Sequence, residues 1–275
     1  MRPNAELRKE ARQAIRGGWL WRILCVLLIL QLIEQTAGRL LAYLNESLGI
    51  VSCSDFLERK FDALRQGIDF ALPTQEAYRQ MWIATGFEYF VGTLLGAIAL
   101  FGMTAVALKA IRNDEREWFT TGFAGLRRPL GVFALLLVQN LIVDFWTLFL
   151  IVPGIIASYR YRQAWYLKCE HPDWGVRQCL GESAKMMKGY KGLAFGFDLG
   201  YFGRLFLVGL CAACGYALCT AENGLLNAAG LFVLFASLVV AAYVLSCFVV
   251  GRAVFYRELK SELKPEVQDD LPRND

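Results

Sequence analysis

Four charged side chains sit inside apolar sequence: Asp144, Arg160, Arg162 and Arg204. A charge held in the bilayer interior costs roughly a few kcal/mol or more unless it pairs or lines a wet cavity. Asp144 lies nine residues before Pro153, and Arg162 nine residues after it. In an antiparallel hairpin turning at Pro153-Gly154 the two would share a level, about 13 Å from the tip. Arg204 falls 11 residues into a later apolar run, near the midplane, and Arg160 lies on another face of Arg162's helix. The expectation is one buried polar cluster of Asp144, Arg160, Arg162 and Arg204. It would serve as a structural ion pair that lets a polar helix insert, or as a site for an anion or lipid headgroup. Glu88 and Asp198 are expected shallower, near opposite surfaces.

Nothing else in the sequence has the spacing of reaction chemistry. Neither a nucleophile–base pair nor a metal-ligand pattern accompanies the charges. The one histidine, His171, stands beside Pro172, and the eight cysteines are scattered. Cys211-Ala-Ala-Cys214 has redox-motif spacing but lacks a βαβ context. With Cys25, Cys219 and Cys247 it reads as apolar packing. No enzymatic activity, cofactor or metal is expected. Nucleic acid is not an expected partner, because every basic block flanks an apolar run.

The elements that must position these charges are membrane spans. The 275 residues are 56% hydrophobic, yet 20% are charged, so long apolar runs alternate with polar segments. Residues 4–18 predict an amphipathic leader helix with Asn4 as N-cap, a stripe of Leu7, Ala11, Ala14 and Ile15, and Gly17-Gly18 as its stop. Such a helix can lie among lipid headgroups. No clean cleavage site follows the first apolar run, which reads as an uncleaved span.

Spans are expected at about 19–39, 83–108, 131–151, 193–219 and 226–251. Residues 40–82 hold short helical patterns, with Pro73-Thr74 as a stop and restart, and "TAENG" joins the last two spans. Residues 131–151, as helix, measure about 31 Å, enough for one hydrocarbon core.

The positive-inside rule decides the path of the chain after residue 151. Lys109, Arg112, Arg116, Arg127 and Arg128 precede the third run; Lys168, Arg177, Lys185, Lys188 and Lys191 come after it. Both groups share the cytoplasmic side only if 155–170 returns. That return is a short fourth crossing, which makes six in all, or a re-entrant hairpin with the same sidedness. The fold expected is all-α and polytopic. It has about six transmembrane helices, the third and fourth joined by a Pro-Gly turn, plus amphipathic interfacial helices. The leader is 1–18, the membrane domain 19–256 with a non-cytoplasmic 40–82 segment, and the charged cytoplasmic tail 257–275.

Two further features concern packing and lipid. Gly192, Gly196 and Gly200, then Gly203, form a stripe at helical spacing, as do Gly92 and Gly96; small-xxx-small stripes let helices approach closely. Residues 172–191 predict an interfacial helix capped by Asp173, with Val176, Leu180, Ala184 and Met187 inward. Arg177, Lys185, Lys188 and Lys191 are its candidate contacts to anionic lipid.

"IVPGIIASYRYRQAWYL" followed by "CLGESAKMMKGYKG" resembles the signature of a bacterial family of integral membrane proteins, domain-of-unknown-function family 975. "ELRKEARQAIRGGW" and "AVFYREL" are similar to that family's two ends. The resemblance covers most of the chain apart from 40–82 and implies a multi-pass inner-membrane protein, with no activity attached. The function expected is a non-enzymatic structural or accessory membrane protein, its partners being lipids, further copies of itself or other membrane proteins. The alternative is a small-molecule or lipid transporter or binding protein that uses the buried Asp/Arg cluster.

Overall fold

A computed structural model describes residues 1–16, 18–50, 53–66, 74–220 and 224–269. Pro73, Gly17, residues 221–223 of the joint before the last helix, and 270–275 of the tail lie outside the described residues.

Every regular element described is helical. In chain order they are α1 (Asn4–Arg16), α2 (Trp19–Ser47), α3 (Cys53–Gln66), α4 (Gln75–Arg112), α5 (Trp118–Gly122), α6 (Pro129–Phe149), α7 (Ile151–Tyr161), α8 (Ala164–Glu170), α9 (Val176–Met186), α10 (Lys191–Cys219) and α11 (Gly224–Asp269). A 3-10 turn at Ala124–Arg127 leads into α6. Among the described residues, five helices are long and apolar enough to cross a membrane: α2, α4, α6, α10 and Leu225–Leu263 of α11. They carry rows of outward apolar side chains, such as Leu28, Leu148, Phe206 and Phe232. Such outward apolar rows suit helices of spanning length set in hydrocarbon.

The protein core lies at one end of the bundle. It joins the start of α2 (Trp19, Ile23), the end of α4 (Val106, Ala107), α8, the start of α10 (Phe197, Tyr201) and the last third of α11 (Phe255, Tyr256). A second cluster joins Val132 and Leu135 of α6 to Trp165 of α8 and Leu180 of α9. Successive long helices therefore leave from this end and return to it.

The leader helix packs its apolar stripe into that core. Leu7, Ala11 and Ile15 are fully buried within it. Arg2 grips Glu258 of α11 with two bonds, Nε to Oε1 at 3.0 Å and Nη2 to Oε2 at 2.6 Å. Asn4 is the first helical residue, not the cap; its amide donates to the Leu193 carbonyl at 3.1 Å. Gly18, at φ 85°, makes the turn into α2. Thr74 caps α4 through Ala77, as its place at the restart predicts. The 40–82 segment is the end of α2, then α3, then the start of α4. Beyond 251, helix continues through most of the predicted tail.

The glycine stripes do not serve as predicted. Above Gly196 lies the Asn4 amide and above Gly200 the Arg8 guanidinium, both from α1; Gly92, Gly96, Gly192 and Gly203 face open space. The close helix contacts use other glycines. A Cβ on Gly102 of α4 would fall 1.8 Å from the Gly122 carbonyl oxygen, and one on Gly230 of α11 would fall 2.7 Å from that of Gly215 in α10.

Candidate site: a buried carboxylate among arginines

The hairpin exists, but its turn is earlier than Pro153-Gly154. Leu150 is extended (φ −160°, ψ 142°) and separates α6 from α7. Pro153 falls in the first turn of α7, where the missing N–H has no helical partner to lose. Gly154 packs on Thr147 of α6 so closely that a Cβ would lie 2.0 Å from Oγ1.

The shifted turn moves the register of the whole return limb. Arg162 lies twelve residues past Leu150 and Asp144 only six before it, about 18 Å and 9 Å from the tip as helix. The predicted cluster is corrected accordingly. Asp144 is exposed on α6. Arg160 is also exposed, lying over the Tyr161 ring, and Arg204 lies exposed beside Tyr201. Arg162 alone of the four is buried, and its partner is Asp198.

Asp198, about two turns inside α10, gathers three donors on one oxygen. Oδ2 accepts from Arg162 Nη1 at 2.9 Å, from the Tyr159 hydroxyl at 3.1 Å and from Arg252 Nη2 at 3.2 Å. The side chains of Arg162 and Asp198 are 6% and 2% exposed. Arg162 also lies over the rings of Tyr159 and Phe255, and Arg252 over Phe248 at 4.5 Å. One carboxylate thus ties the return limb to both of the last long helices. It faces two guanidiniums, so the group carries one excess positive charge. Arg162 Nε and Nη2, Arg252 Nε and Asp198 Oδ1 are buried without a hydrogen-bond partner among the described residues.

The break between α7 and α8 is spliced from a distance. Ser183 of α9, fully buried, donates to the Arg160 carbonyl at 3.0 Å and accepts from Gln163 N–H at 3.1 Å. It supplies partners that a continuous helix would have provided. Gln163, itself fully buried, reaches Met187 Sδ at 3.4 Å. This gives the "SAKMMKGY" stretch a physical meaning: Ser183 mends the break, Met186 and Met187 fill the core, and Gly189 (φ 86°) turns the chain toward α10.

The helix predicted at 172–191 is α9. Its cap position is Gly175, not Asp173, which instead pairs with Arg128 at 2.7 Å. Leu180 and Met187 are buried, but Val176 and Ala184 are only partly so, and Cys179 takes a core position. Arg177, Lys185 and Lys188 are exposed, Lys185 pairing with Glu182, and Lys191 is half-buried. His171 stacks on Trp174 with ring centres 4.1 Å apart. All eight cysteines are free thiols, Cys211 and Cys214 exposed.

Residues 135–263 match the family model DUF975, described as a protein of unknown function. The match takes in α7 to α10, the arginine–carboxylate group and most of α11. No curated protein and no solved structure matches the chain.

Proposed function

We propose, from the match of residues 135–263 to the DUF975 family model, that the chain is a multi-pass protein of the bacterial cytoplasmic (inner) membrane with a structural or accessory, non-enzymatic role. It crosses six times, α7 and α8 forming the short fourth crossing, and both termini lie in the cytoplasm. Laid end to end, residues 151–170 measure about 30 Å. The packed end of the bundle holds Arg8, Arg12, Lys109, Arg112, Lys168 and Lys260, and the positive-inside rule assigns such an end to the cytoplasm.

The observation that carries the structural role is the three-donor grip on Asp198 Oδ2. It ties α7, α10 and α11 together, and its charges are spent on one another and on aromatic faces. A short polar limb in a membrane needs such a fastening. The transporter or binding reading draws on a different detail, the unpartnered Arg162 Nε and Nη2 and Asp198 Oδ1.

One comparison separates the two. In the doubly substituted Asp198→Asn, Arg162→Met chain, a fastening role keeps the fold and leaves molecules retained in native mass spectrometry unchanged. A binding role keeps the fold but loses a retained anion or lipid. Topology is tested by labelling single cysteines at 188 and 152 in a cysteine-free chain. Labelling of both from the same side of the membrane would defeat the six-crossing reading.

A further inference from the structure

A cavity of about 780 Å³ lies at the packed end, away from Asp198, between α4, α5, the 3-10 turn, α8 and the end of α11. Its wall carries six cations, Lys109, Arg112, Arg127, Arg128, Lys168 and Lys260, against two carboxylates, Glu117 and Glu170, an excess of four positive charges.

Carboxylates just outside the wall, Asp114 beside Lys109 at 3.9 Å and Asp173 beside Arg128, reduce this excess to two. Glu170 serves both Arg112, at 2.8 Å, and Lys260, at 2.6 Å. Arg128 turns to Asp173. Arg127 makes no ion pair among the described residues. Lys168 is the telling one. It is only 7% exposed, and its ammonium meets only backbone carbonyls, Pro172 at 2.9 Å and Trp174 at 2.6 Å. Among the described residues no carboxylate lies within ion-pair distance of it. A buried cation without a counter-ion is costly, and an anion entering the cavity relieves that cost.

We propose that this cavity binds the phosphate of an anionic ligand. The chemistry is that of a phosphoester met by two to four Lys and Arg side chains. A phospholipid headgroup and a soluble phosphoester both present it. The surroundings fit the lipid source: Phe119, Leu126 and Leu130, all exposed, stand on the segment that walls the cavity and are placed to meet acyl chains. The proposal is independent of the role assigned to Asp198.

The test uses the full chain, delipidated in detergent, with native mass spectrometry. Phosphatidylglycerol and phosphatidylethanolamine are added back in one arm and inorganic phosphate in the other. The wild type should retain phosphatidylglycerol over phosphatidylethanolamine. Arg127→Gln should weaken that retention about fivefold, as expected for one basic residue near an anionic headgroup, and Lys168→Gln should weaken it at least as much. Lys185→Gln, on the exposed face of α9, should change nothing. Arg127 is exposed and unpaired, so its substitution leaves the fold intact even where Lys168→Gln weakens it. Phosphate binding that depends on Arg127 in the absence of lipid would support the same site with a soluble ligand. Equal retention of the two lipids without phosphate binding, or equal losses in Arg127→Gln and Lys185→Gln, would overturn the proposal.

Discussion

Arg162 donates to Asp198 at 2.9 Å across 36 residues of sequence, with both side chains almost wholly enclosed. Burying two charges is expensive, and removing only one leaves the other stranded. Asp198→Asn should therefore destabilise the protein by about 3–5 kcal/mol, as should Arg162→Met. The double substitution should cost less than the sum of the two. Unfolding midpoints in detergent for all four members of the cycle check this. Additive losses would mean that the pair is not coupled.

Ser183→Ala should cost about 1–3 kcal/mol, a large effect for the loss of one oxygen. It strands the Gln163 N–H and the Arg160 carbonyl at the break between α7 and α8. Hydrogen exchange should show the amides around residue 163 losing protection before those of α10. Uniform protection would argue against a local splice.

Gly102→Ala should lower Tm by several degrees, because the new methyl group would meet backbone at Gly122 that cannot step aside. Gly92→Ala, on the same helix with open space around it, should be neutral or slightly stabilising. A reversed order would restore the glycine stripe read from sequence as the packing surface.

Glu115, in the loop after α4, forms an ion pair with Arg22 at 2.8 Å, and that guanidinium holds its carboxyl below the ordinary value. A depressed carboxylate contributes stability above its unfolded pKa and loses it as pH falls through the folded one. Glu115→Gln should thus lower Tm slightly at neutral pH and not at all once the pH is below the folded pKa. Glu115 is exposed, so added salt should shrink the difference. Thermal scans at several pH values and two salt concentrations test the sign.

Much of the architecture was legible in the sequence because lipid imposes it. Long apolar runs, the amphipathic pattern at Leu7, Ala11 and Ile15, and the return after residue 150 all stem from burial and charge. The site was legible only at Arg162. Its depth depended on the turn, and the Pro-Gly pair drew the turn three residues away from Leu150. Asp198 lay too near a predicted span end to be weighed as a midplane partner. Arg252 stood just past the predicted end of the last span, although helix runs on through it. Ser183 was hidden for another reason: no local pattern announces a hydroxyl that mends a break 20 residues away.

The grip of Arg2 on Glu258 joins positions 256 residues apart. During synthesis the leader's apolar stripe lacks its largest partner until the last long helix is made. Closing so wide a separation late is slow and leaves greasy surface waiting. The finished bundle is therefore sealed where α1 meets α11, and truncating the final helix before Glu258 would loosen the leader as well.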